Sequence, residues 1–402
     1  MKKNKQHALT FIFITLFIDV IGLGIIIPVL PTLIGELING TNSDASKYGG
    51  WLMGSYAIMQ FIFAPVLGNL SDRFGRRPIL LVSLLGLSLN YLLMAFSPTI
   101  VWMFMGRLIA GICGASNTTA SAYIVDISTS EKRAQNLGLI GAAFGLGFII
   151  GPVVGGLLGH FGSRIPFFAA AALSLFNFVY GYLILPESLR MRNRRRFNWK
   201  LANPLGAIKN LKKYKAIGGL IATVFVVNVA SHAVESVWTF FTRESFNWSE
   251  AQTGYSLGFL GLMMAVVQGG LIRITQPRLG SVKSIYIGLG LCSIGMSLFA
   301  FASQGWMMYA IIIPYSMGCI FNPAINSIIA GKALPGEQGE LQGILTCLMS
   351  LGSVIGPPVM TFLFSYSTSE KTPIYFPGAP FLLGGLLIAF CFFLIYPALK
   401  RN

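Results

Sequence analysis

Residues Gly68–Pro78 read GNLSDRFGRRP and differ sharply from the sequence around them. One acid and three arginines fall within this stretch, although only 10% of the chain is charged and 54% is hydrophobic. Apolar runs lie on both sides, YAIMQFIFAPVL at 56–67 and ILLVSLLGLSL at 79–89. We interpret the stretch as a short polar loop that connects two long apolar helices.

The composition places most of this chain in a lipid bilayer. Mean hydropathy is +0.70 over 402 residues. Runs of 18 or more nearly uncharged residues predict membrane-spanning helices, because about 20 residues cross a hydrocarbon core of roughly 30 Å. The net charge of +16 then indicates which loops face the cytoplasm, and not a nucleic-acid partner. The apolar run after the basic N-terminus continues to about Leu33 without an A-x-A site, so we expect a retained first helix and no signal peptide.

Apolar runs between polar breaks predict an all-α integral membrane protein with twelve transmembrane helices. They are expected near 8–35, 48–70, 77–97, 99–125, 133–160, 165–186, 216–242, 251–273, 282–302, 305–331, 339–366 and 378–398. The one long polar break, 187–215, is predicted to be a basic cytoplasmic linker. It divides the chain into an N-terminal six-helix bundle, 1–186, and a C-terminal six-helix bundle, 216–402.

The distribution of basic residues predicts the orientation. If the N-terminus is cytoplasmic, 24 of the 29 Lys and Arg residues lie in cytoplasmic segments, ten of them in the central linker. The positive-inside rule describes this asymmetry, and the opposite topology would invert it. We therefore expect a multi-pass protein of the inner (cytoplasmic) membrane with both termini cytoplasmic, and a cytoplasmic loop at 68–78.

The two halves of the sequence resemble each other at a nearly fixed offset. GLGFIIGP at 145–152 matches SLGSVIGP at 350–357, and GGWLMGSY at 49–56 matches TGYSLGFL at 253–260. Such repeats imply two pseudo-symmetric bundles that bind substrate between them and expose it alternately to each side of the membrane. The alternative is chance similarity among glycine-rich apolar helices.

Residue spacing within the charged loop predicts a conformational latch. Gly68 removes a side chain where one helix approaches another, and Gly75 permits a tight turn. Asp72 is expected to pair with an arginine or to face the positive N-terminal end of a helix from the other half. Such contacts form and break easily at a wet surface. The simpler alternative, a positive-inside loop, accounts only for the three arginines, Arg73, Arg76 and Arg77.

Helix five carries a face of small residues. Gly147, Gly151 and Gly155 recur every four residues, so they share one face and permit close backbone contact. Pro152 lacks a backbone donor and is expected to bend the helix. Together with Gly156 this pattern fits a hinge or a proton seal, and ordinary tight packing is a compatible alternative.

Two charged residues are predicted near the middle of the bilayer. Asp19 lies about 11 residues into helix one and Arg107 about 8 residues below the outer end of helix four, so their depths nearly meet in a core of about 30 Å. An ionisable residue at that depth is functional by default. Asp19 is expected to carry the exchanged proton or to meet a cationic substrate, and Arg107 to modulate it. A structural ion pair is the alternative.

Helix seven adds a polar stripe, because Asn228, His232 and Glu235 share one helix face. Glu235 with His232 is a predicted second proton or cation site, and a constellation this small predicts no metal centre. Other amides lie inside helices and either bind substrate or only hydrogen-bond between helices. The candidate substrate-binding residues are Gln60, Asn90, Asn117, Asn228, Gln268 and Asn322.

Several motifs resemble one transporter family. GNLSDRFGRRP resembles the signature loop of the major facilitator superfamily, and GFIIGPVVGG at 147–156 resembles the antiporter signature of its proton-coupled drug exporters. DVIGLGIIIPVLP at 19–31 and GRLIAG at 106–111 are similar to that subgroup, most of all to bacterial tetracycline-resistance exporters. The resemblance implies the major facilitator fold, proton-coupled drug export, and a charged cluster of Asp72, Arg76 and Asp126 that holds the halves together.

One departure from that subgroup concerns the substrate. Its members carry acidic residues on helices three and nine, and the matching positions here are Asn90 and Cys292. Neither side chain offers a negative charge to a metal–drug complex. The resemblance therefore implies export of amphipathic small molecules and puts tetracycline itself in doubt.

Other function classes are compared on the same features. A symporter that imports a polar metabolite, peptide or sugar would share the fold but not the helix-five pattern, and sodium is an alternative coupling ion. An integral membrane enzyme would need an interfacial cluster of acids or histidines. No Walker A pattern occurs, which argues against ATP, and five unpaired cysteines predict neither disulfides nor a metal site. We expect no cofactor and a functional monomer whose partners are small-molecule substrate, protons and lipid.

Overall fold

The computed structural model describes residues 2–129, 132–189, 191–195, 197, 213–214, 217–332, 338–370 and 372–400, with only the backbone at 2–8, 134 and 339. Every regular element in these ranges is helical. The first half contains α1 (Lys2–Ile26), α2 (Leu30–Ile38), α3 (Asn42–Phe74), α4 (Arg76–Ala95), α5 (Ile100–Gly114), α6 (Asn117–Ile127), α7 (Arg133–Gly159), α8 (Ile165–Ile184) and a 3-10 turn (Met191–Asn193). The second half contains α9 (Gly218–Phe246), α10 (Glu250–Val266), a π-helical segment (Val267–Leu271), α11 (Ile272–Ala300), α12 (Gly305–Gly318), α13 (Phe321–Gly331), α14 (Gln338–Thr368) and α15 (Ala379–Lys400). Much of the predicted linker 187–215 lies outside the described residues.

Eleven helical segments in the described part of the chain are long and apolar enough to cross a membrane, against the twelve predicted. The difference arises at 274–281, where a polar break was expected. There α10, the π-helical segment and α11 follow one another without a gap, so Glu250–Ala300 is one run of 51 residues. Gly280 interrupts this run with a φ of 71° and a ψ of 168°, which are not helical values.

Three predicted helices are each divided in two. The span expected at 8–35 breaks between α1 and α2, where Pro28 and Pro31 lack the amide hydrogens that a continuous helix needs. The spans expected at 99–125 and 305–331 break after Gly114 and after Gly318. At both of these breaks a backbone amide bonds three residues back, Ala115 to Ile112 at 3.3 Å and Cys319 to Ser316 at 3.0 Å. Such bonds tighten the helix locally into a 3-10 turn.

The chain forms two compact units. Unit 1 comprises Met1–Asn39, Ser55–Pro204 and Glu250–Gly258, and unit 2 comprises Gly40–Gly54, Leu205–Ser249 and Phe259–Asn402. The N-terminal parts of α3 and α10 are therefore grouped with residues that are distant in sequence. The predicted division at 1–186, 187–215 and 216–402 follows the order of the chain, and it stays a prediction.

Helix pairing within each unit follows a corresponding pattern. In unit 1, α1 packs on α7 and α8, and α4 packs on α5 and α8. In unit 2, α9 packs on α14 and α15, and α11 packs on α12 and α15. The core of unit 1 includes Phe11, Leu80 and Tyr123. That of unit 2 contains Trp238, whose ring meets Phe299 edge-on with centroids 5.1 Å apart. Because burial of these apolar side chains fixes the helices, polar groups between them are held in defined positions.

Candidate functional site

The charged loop is a tight turn between α3 and α4. Gly75 has a φ of 106°, which side-chain-bearing residues rarely adopt. The first amides of α4 have no partner within the helix. Glu187 supplies one, because its carboxylate accepts from the amide of Arg76 at 2.9 Å and from that of Arg77 at 3.3 Å. A side chain at position 75 would collide with this carboxylate.

Arg76 connects two carboxylates across the end of unit 1. Its Nη1 lies 2.6 Å from Asp72 Oδ1, and its Nε lies 3.2 Å from Asp126 Oδ2. The arginine side chain is only 10% exposed, whereas that of Asp72 is 38% exposed. Ser188 also donates to Asp126 Oδ2, at 3.0 Å. The predicted cluster of Asp72, Arg76 and Asp126 is thus a contiguous network, within which Asp72 has the most exposed end.

The other residues predicted for this latch have different surroundings. Arg73 stacks on Phe74, with its guanidinium 4.9 Å from the ring centroid. Arg77 donates to the carbonyl of Tyr182 at 2.7 Å. Among the described residues, a Cβ at Gly68 would meet only Thr118 Oγ1 of α6, at 3.8 Å, which is an ordinary van der Waals distance. The packing reason given for Gly68 stays a prediction.

Glu187 is a functional residue that sequence reasoning missed, since it falls in the predicted linker. The segment after it packs onto the loop: the amide of Arg195 donates to the carbonyl of Asp72 at 3.0 Å. Arg194 Nη2 lies 3.9 Å from Glu187 Oε2. The only sequence signal is an acid directly after Pro186, where a span ends.

Asp19 lies half-buried in α1 and is held by a neutral partner. Asn177 on α8 donates through Nδ2 to Asp19 Oδ1 at 3.2 Å and to the carbonyl of Thr15 at 3.0 Å. Among the described residues no cation lies within ion-pair distance of this carboxylate, so the alternative of an Asp19–Arg107 ion pair is wrong. Asn177 was not predicted as a site residue. In the sequence it is a single amide side chain within the apolar helix α8, and no nearby motif marks it.

Arg107 and Asn90 are deeply buried polar groups in the same unit. Arg107 is 6% exposed and its Nε has no hydrogen-bond partner within the described ranges. Asn90 is 1% exposed, and neither of its amide atoms has a partner there. A Cβ at Gly106, beside Arg107, would lie 2.9 Å from Asn90 Oδ1, so the amide packs against this turn of α5. Buried polar atoms of this kind need a partner from outside the protein, such as water or a ligand.

The remaining unit 1 candidates are less buried. Gln60 Nε2 donates to the hydroxyl of Tyr56 and to the carbonyl of Gly114, both at 3.3 Å. Asn117 is half-buried in the first turn of α6, and its carbonyl accepts from Ser121. These two residues therefore make local contacts between or within helices.

The glycine face of α7 packs on α1. A Cβ at Gly151 would be 2.8 Å from the Cα of Gly24, and a Cβ at Gly155 would overlap the carbonyl oxygen of Ile25. Gly147 likewise lies against the side chain of Val20. Gly156 faces the first turn of α10 instead, and Pro152 directs its carbonyl oxygen at Gly254. The helix that carries Asp19 is thus in backbone contact with α7.

In unit 2 the polar stripe of α9 packs on a glycine face of α14. His232 Nδ1 lies 3.1 Å from Glu235 Oε2, and its Nε2 lies 3.3 Å from Ser353 Oγ. Gly352 leaves space for Asn228 and Gly356 for the ring of His232. The Glu235 side chain is 57% exposed.

Two predicted residues are separate from this group. Gln268 is exposed within the π-helical segment and Asn322 is exposed on α13. In the described part of the chain neither is joined to the His232 group by a hydrogen bond. Cys292, which stands where the subgroup has an acid, is buried and donates to the carbonyl of Tyr315 at 3.5 Å.

A further polar cluster in unit 2 lies at the C-terminal end of α9. Tyr375 donates to Glu244 Oε1 at 2.8 Å, and Asn42 Nδ2 donates to Glu244 Oε2 at 2.8 Å. Partial burial, with the Glu244 carboxylate beside it, raises the pKa of Tyr375 to about 12. No group of three or more His, Cys, Asp or Glu side chains that could hold a metal is found among the described residues.

Comparisons with known proteins agree with this architecture. The family model "Major Facilitator Superfamily" matches residues 12–320 and 277–402. The chain is 37% identical over 402 residues to tetracycline resistance protein, class C, of Escherichia coli, covering 100% of this chain and 98% of that protein. It is 29% identical over 395 residues to multidrug resistance protein 2 of Bacillus subtilis (strain 168), covering 96% of each.

Solved structures extend the comparison to the fold. The human organic anion transporter MFSD10 (TETRAN) matches with a TM-score of 0.70 and 24% identity, over 97% of this chain and 99% of that one. The nucleoside transporter NupG matches with a TM-score of 0.74 and 14% identity over the same shares. The predicted family resemblance is confirmed. The chain belongs to the major facilitator superfamily and is a multi-pass membrane transporter, not an enzyme.

Proposed function

We propose that this transporter is a proton-coupled antiporter that exports amphipathic small molecules by alternating access. The observation that carries the proposal is Asp19, a half-buried carboxylate in a membrane helix whose hydrogen-bond partner among the described residues is the neutral amide of Asn177. A carboxylate without a permanent counter-ion can gain and lose a proton without breaking an ion pair. Relatives named for tetracycline resistance and multidrug resistance support export as the direction.

The packing of α1 supports a link between protonation and movement. The turn after Asp19 contacts α7 through Val20, Gly24 and Ile25, and the contacts of Gly24 and Ile25 with Gly151 and Gly155 are made by backbone atoms. Smooth glycine surfaces of this kind let helices shift against each other without repacking large side chains. In the proposal, protonation of Asp19 changes how α1 sits on α7, and this change favours one access state.

The proposed topology has twelve spans, with Glu250–Ala300 crossing twice about the break at Gly280. A run of 51 residues is about 76 Å long as a helix, more than twice the roughly 30 Å core. The bundles are 1–186 and 216–402, joined by 187–215, with both termini cytoplasmic in the inner membrane and one chain as the transport unit. The network around Arg76 is the cytoplasmic latch.

The proposed substrate is amphipathic, and each unit by itself presents polar side chains suited to such a compound. Unit 1 offers Asn90 and Arg107, whose buried donors lack partners among the described residues. Unit 2 offers the exposed carboxylate of Glu235. The buried thiol of Cys292 bonds to backbone and offers no charge, which supports a substrate other than a metal–tetracycline complex. The other proposed contacts are Gln60, Asn117, Asn228, Gln268 and Asn322.

Everted vesicles test the function directly. Vesicles from cells that express the chain are acidified inside and loaded with a pH-sensitive dye. Tetracycline with magnesium, lipophilic cations and neutral drugs are then added in turn. We expect at least one compound to release protons, and Asp19→Asn to abolish that release. The matched control is Asp44→Asn, which removes an exposed carboxylate in the first turn of α3 and should leave the release unchanged.

Each other outcome has a defined meaning. Release that persists in Asp19→Asn would overturn the role of Asp19. Drug transport that requires a sodium gradient and releases no protons would replace the proton as the coupling ion. If no compound releases protons but an inward gradient drives uptake of a polar metabolite, the chain is a symporter and the export proposal is wrong.

A further inference from the structure

A pocket rich in arginine opens beside the Gly75 turn, at the end of unit 1. Arg73, Arg194, Arg195 and Phe197 line it, and its volume is about 440 Å³. We call it the arginine pocket. A second cavity of about 620 Å³ adjoins it and shares Arg194 and Arg195, with Asp72 and Asp126 in its wall. Among the described residues, the lining of the arginine pocket includes no acid.

The charge of the arginine pocket is largely uncompensated. Arg194 lies 3.9 Å from Glu187, at the limit of an ion pair. Within the described ranges no carboxylate pairs with Arg73 or Arg195. Guanidinium groups present several donors in one plane, and phosphate oxygens fit that arrangement especially well. A pocket lined by three such groups therefore suits a phosphate.

The tight turn does not need these arginines. Arg76 alone joins Asp72 to Asp126, and Glu187 satisfies the first amides of α4. A second turn of the same kind occurs 205 residues later, where Arg278-Leu-Gly280 again ends on a glycine with positive φ. Among the described residues, no ion pair involves the arginines of this second turn, Arg273 and Arg278. The surplus charge around Arg73 and Arg195 thus calls for another explanation.

Apolar surface adjoins the pocket. Phe74, whose ring lies under the guanidinium of Arg73, is 48% exposed. The end of α8 is joined to the start of α4 through Arg77 and Tyr182, and the next residue, Leu183, is 74% exposed. Exposed apolar side chains next to arginines are typical of the level at which lipid headgroups meet acyl chains. A ligand with a phosphate and a hydrocarbon tail would match both surfaces.

We propose that the arginine pocket binds the phosphate of an anionic phospholipid headgroup. This proposal rests on membrane insertion and on the local geometry, and not on which compound is transported. The lipid would hold the segment after Glu187 against the loop, because Arg194 and Arg195 belong to that segment while Arg73 belongs to α3.

Native mass spectrometry of the full chain tests the proposal. The protein is released from mixed micelles with equal amounts of phosphatidylglycerol and phosphatidylcholine, and the ratio of bound lipids is measured. Each basic residue near a membrane surface changes anionic-lipid affinity by about fivefold. Arg73→Gln with Arg195→Gln should therefore lower the ratio by roughly tenfold or more. The matched control, Arg273→Gln with Arg278→Gln, removes two exposed arginines from the equivalent region of the second half and should leave the ratio unchanged.

Additional variants and a competition experiment distinguish a lipid site from a general charge effect and from a site for a soluble phosphate. The variant with Arg73→Lys and Arg195→Lys keeps both positive charges. Its ratio of bound phosphatidylglycerol to bound phosphatidylcholine should be clearly higher than that of the double glutamine variant. An equal fall in the test and control variants, or no fall in either, would overturn the proposal. Displacement of phosphatidylglycerol by millimolar glycerol 3-phosphate would assign the pocket to a soluble phosphate and overturn the lipid. If the double glutamine variant is not monodisperse, Arg195→Gln is compared with Arg278→Gln.

Discussion

A single carboxylate, that of Glu187, holds the start of α4 in place. It accepts from the amides of Arg76, Arg77 and Leu189, and these bonds bring it against the first turn of the helix. An acid at a helix N-terminus satisfies free amides and complements the helix dipole. Glu187→Ala should therefore lower the stability of the protein by about 1–2 kcal/mol.

Thermal unfolding in detergent measures this effect. The control is Glu370→Ala, which removes an exposed glutamate just after α14 and should leave the melting temperature unchanged. If Glu187→Ala and Glu370→Ala melt at the same temperature as the unsubstituted chain, the carboxylate does not stabilise α4.

Some residues of the candidate site were predicted from the sequence and others were not, and the difference has a physical reason. Asp72, Arg76 and Asp126 stand out because charge is rare in an apolar chain. Glu187 and Asn177 gain their roles only through partners 111 and 158 residues away in sequence. No local pattern encodes such pairs, so a polar side chain in a linker or an apolar helix looks ordinary until the chain is folded.

At the scale of elements, two glycines of α7 test whether close packing of its glycine face on α1 matters. One of them packs on α1, and the other serves as the control. Gly155 lies against the carbonyl of Ile25, whereas a Cβ at Gly145 would meet no described atom within 4 Å. Gly155→Ala should separate α7 from α1, with loss of transport and a lower melting temperature. Gly145→Ala should be tolerated, since alanine favours a helix by up to about 1 kcal/mol over glycine. Equal effects of the two substitutions would show that close packing on α1 is unimportant.

The face of α14 gives a prediction about a pair of residues. Gly352 leaves space for the amide of Asn228, and a Cβ there would overlap Asn228 Oδ1. Gly352→Ala alone should destabilise the protein, and adding Asn228→Ala should restore much of the loss. A double-mutant cycle on melting temperature measures this coupling, expected in the range of about 0.5–3 kcal/mol. Additive effects would contradict direct contact.

Glycine spacing predicted the face of α7 but not what fills it, and the glycine face of α14 was not predicted. On α7 the partner is backbone and small side chains of α1, and on α14 the partners are Asn228 and His232 of α9. The sequence also predicted only part of where the helices break, between α1 and α2, α5 and α6, and α12 and α13. Pro28 and Pro31 mark one of them, but the 3-10 turns at Ala115 and Cys319 follow from tertiary packing that glycines alone do not specify.

At the scale of the whole molecule, composition was sufficient for the class of protein. High hydropathy and low charge predicted a multi-pass helical membrane protein, and the family comparison confirmed the transporter. The number of spans was harder. The apolar runs predicted a polar break at 274–281, whereas the structure continues as a helix there except for the non-helical φ and ψ of Gly280.

Cysteine accessibility decides how often Glu250–Ala300 crosses the membrane. In a chain whose five native cysteines are replaced, single cysteines are placed at three exposed positions, Ser249, Lys283 and Ser303, and treated with an impermeant maleimide. If the run crosses twice, Ser249→Cys and Ser303→Cys should react in intact cells, whereas Lys283→Cys should react only after permeabilisation. Asn193→Cys, in the predicted cytoplasmic linker, is the control for a residue that reacts only after permeabilisation.

A single crossing would give a different result, with Ser249→Cys and Ser303→Cys on opposite sides of the membrane. The C-terminal helices α12 to α15 would then be inverted relative to the proposed topology. Lys332 and Lys400 would lie outside, against the positive-inside rule. The charge distribution and the break at Gly280 therefore both favour the proposal that the run crosses twice, and the pair of cysteines at 249 and 303 tests both arguments at once.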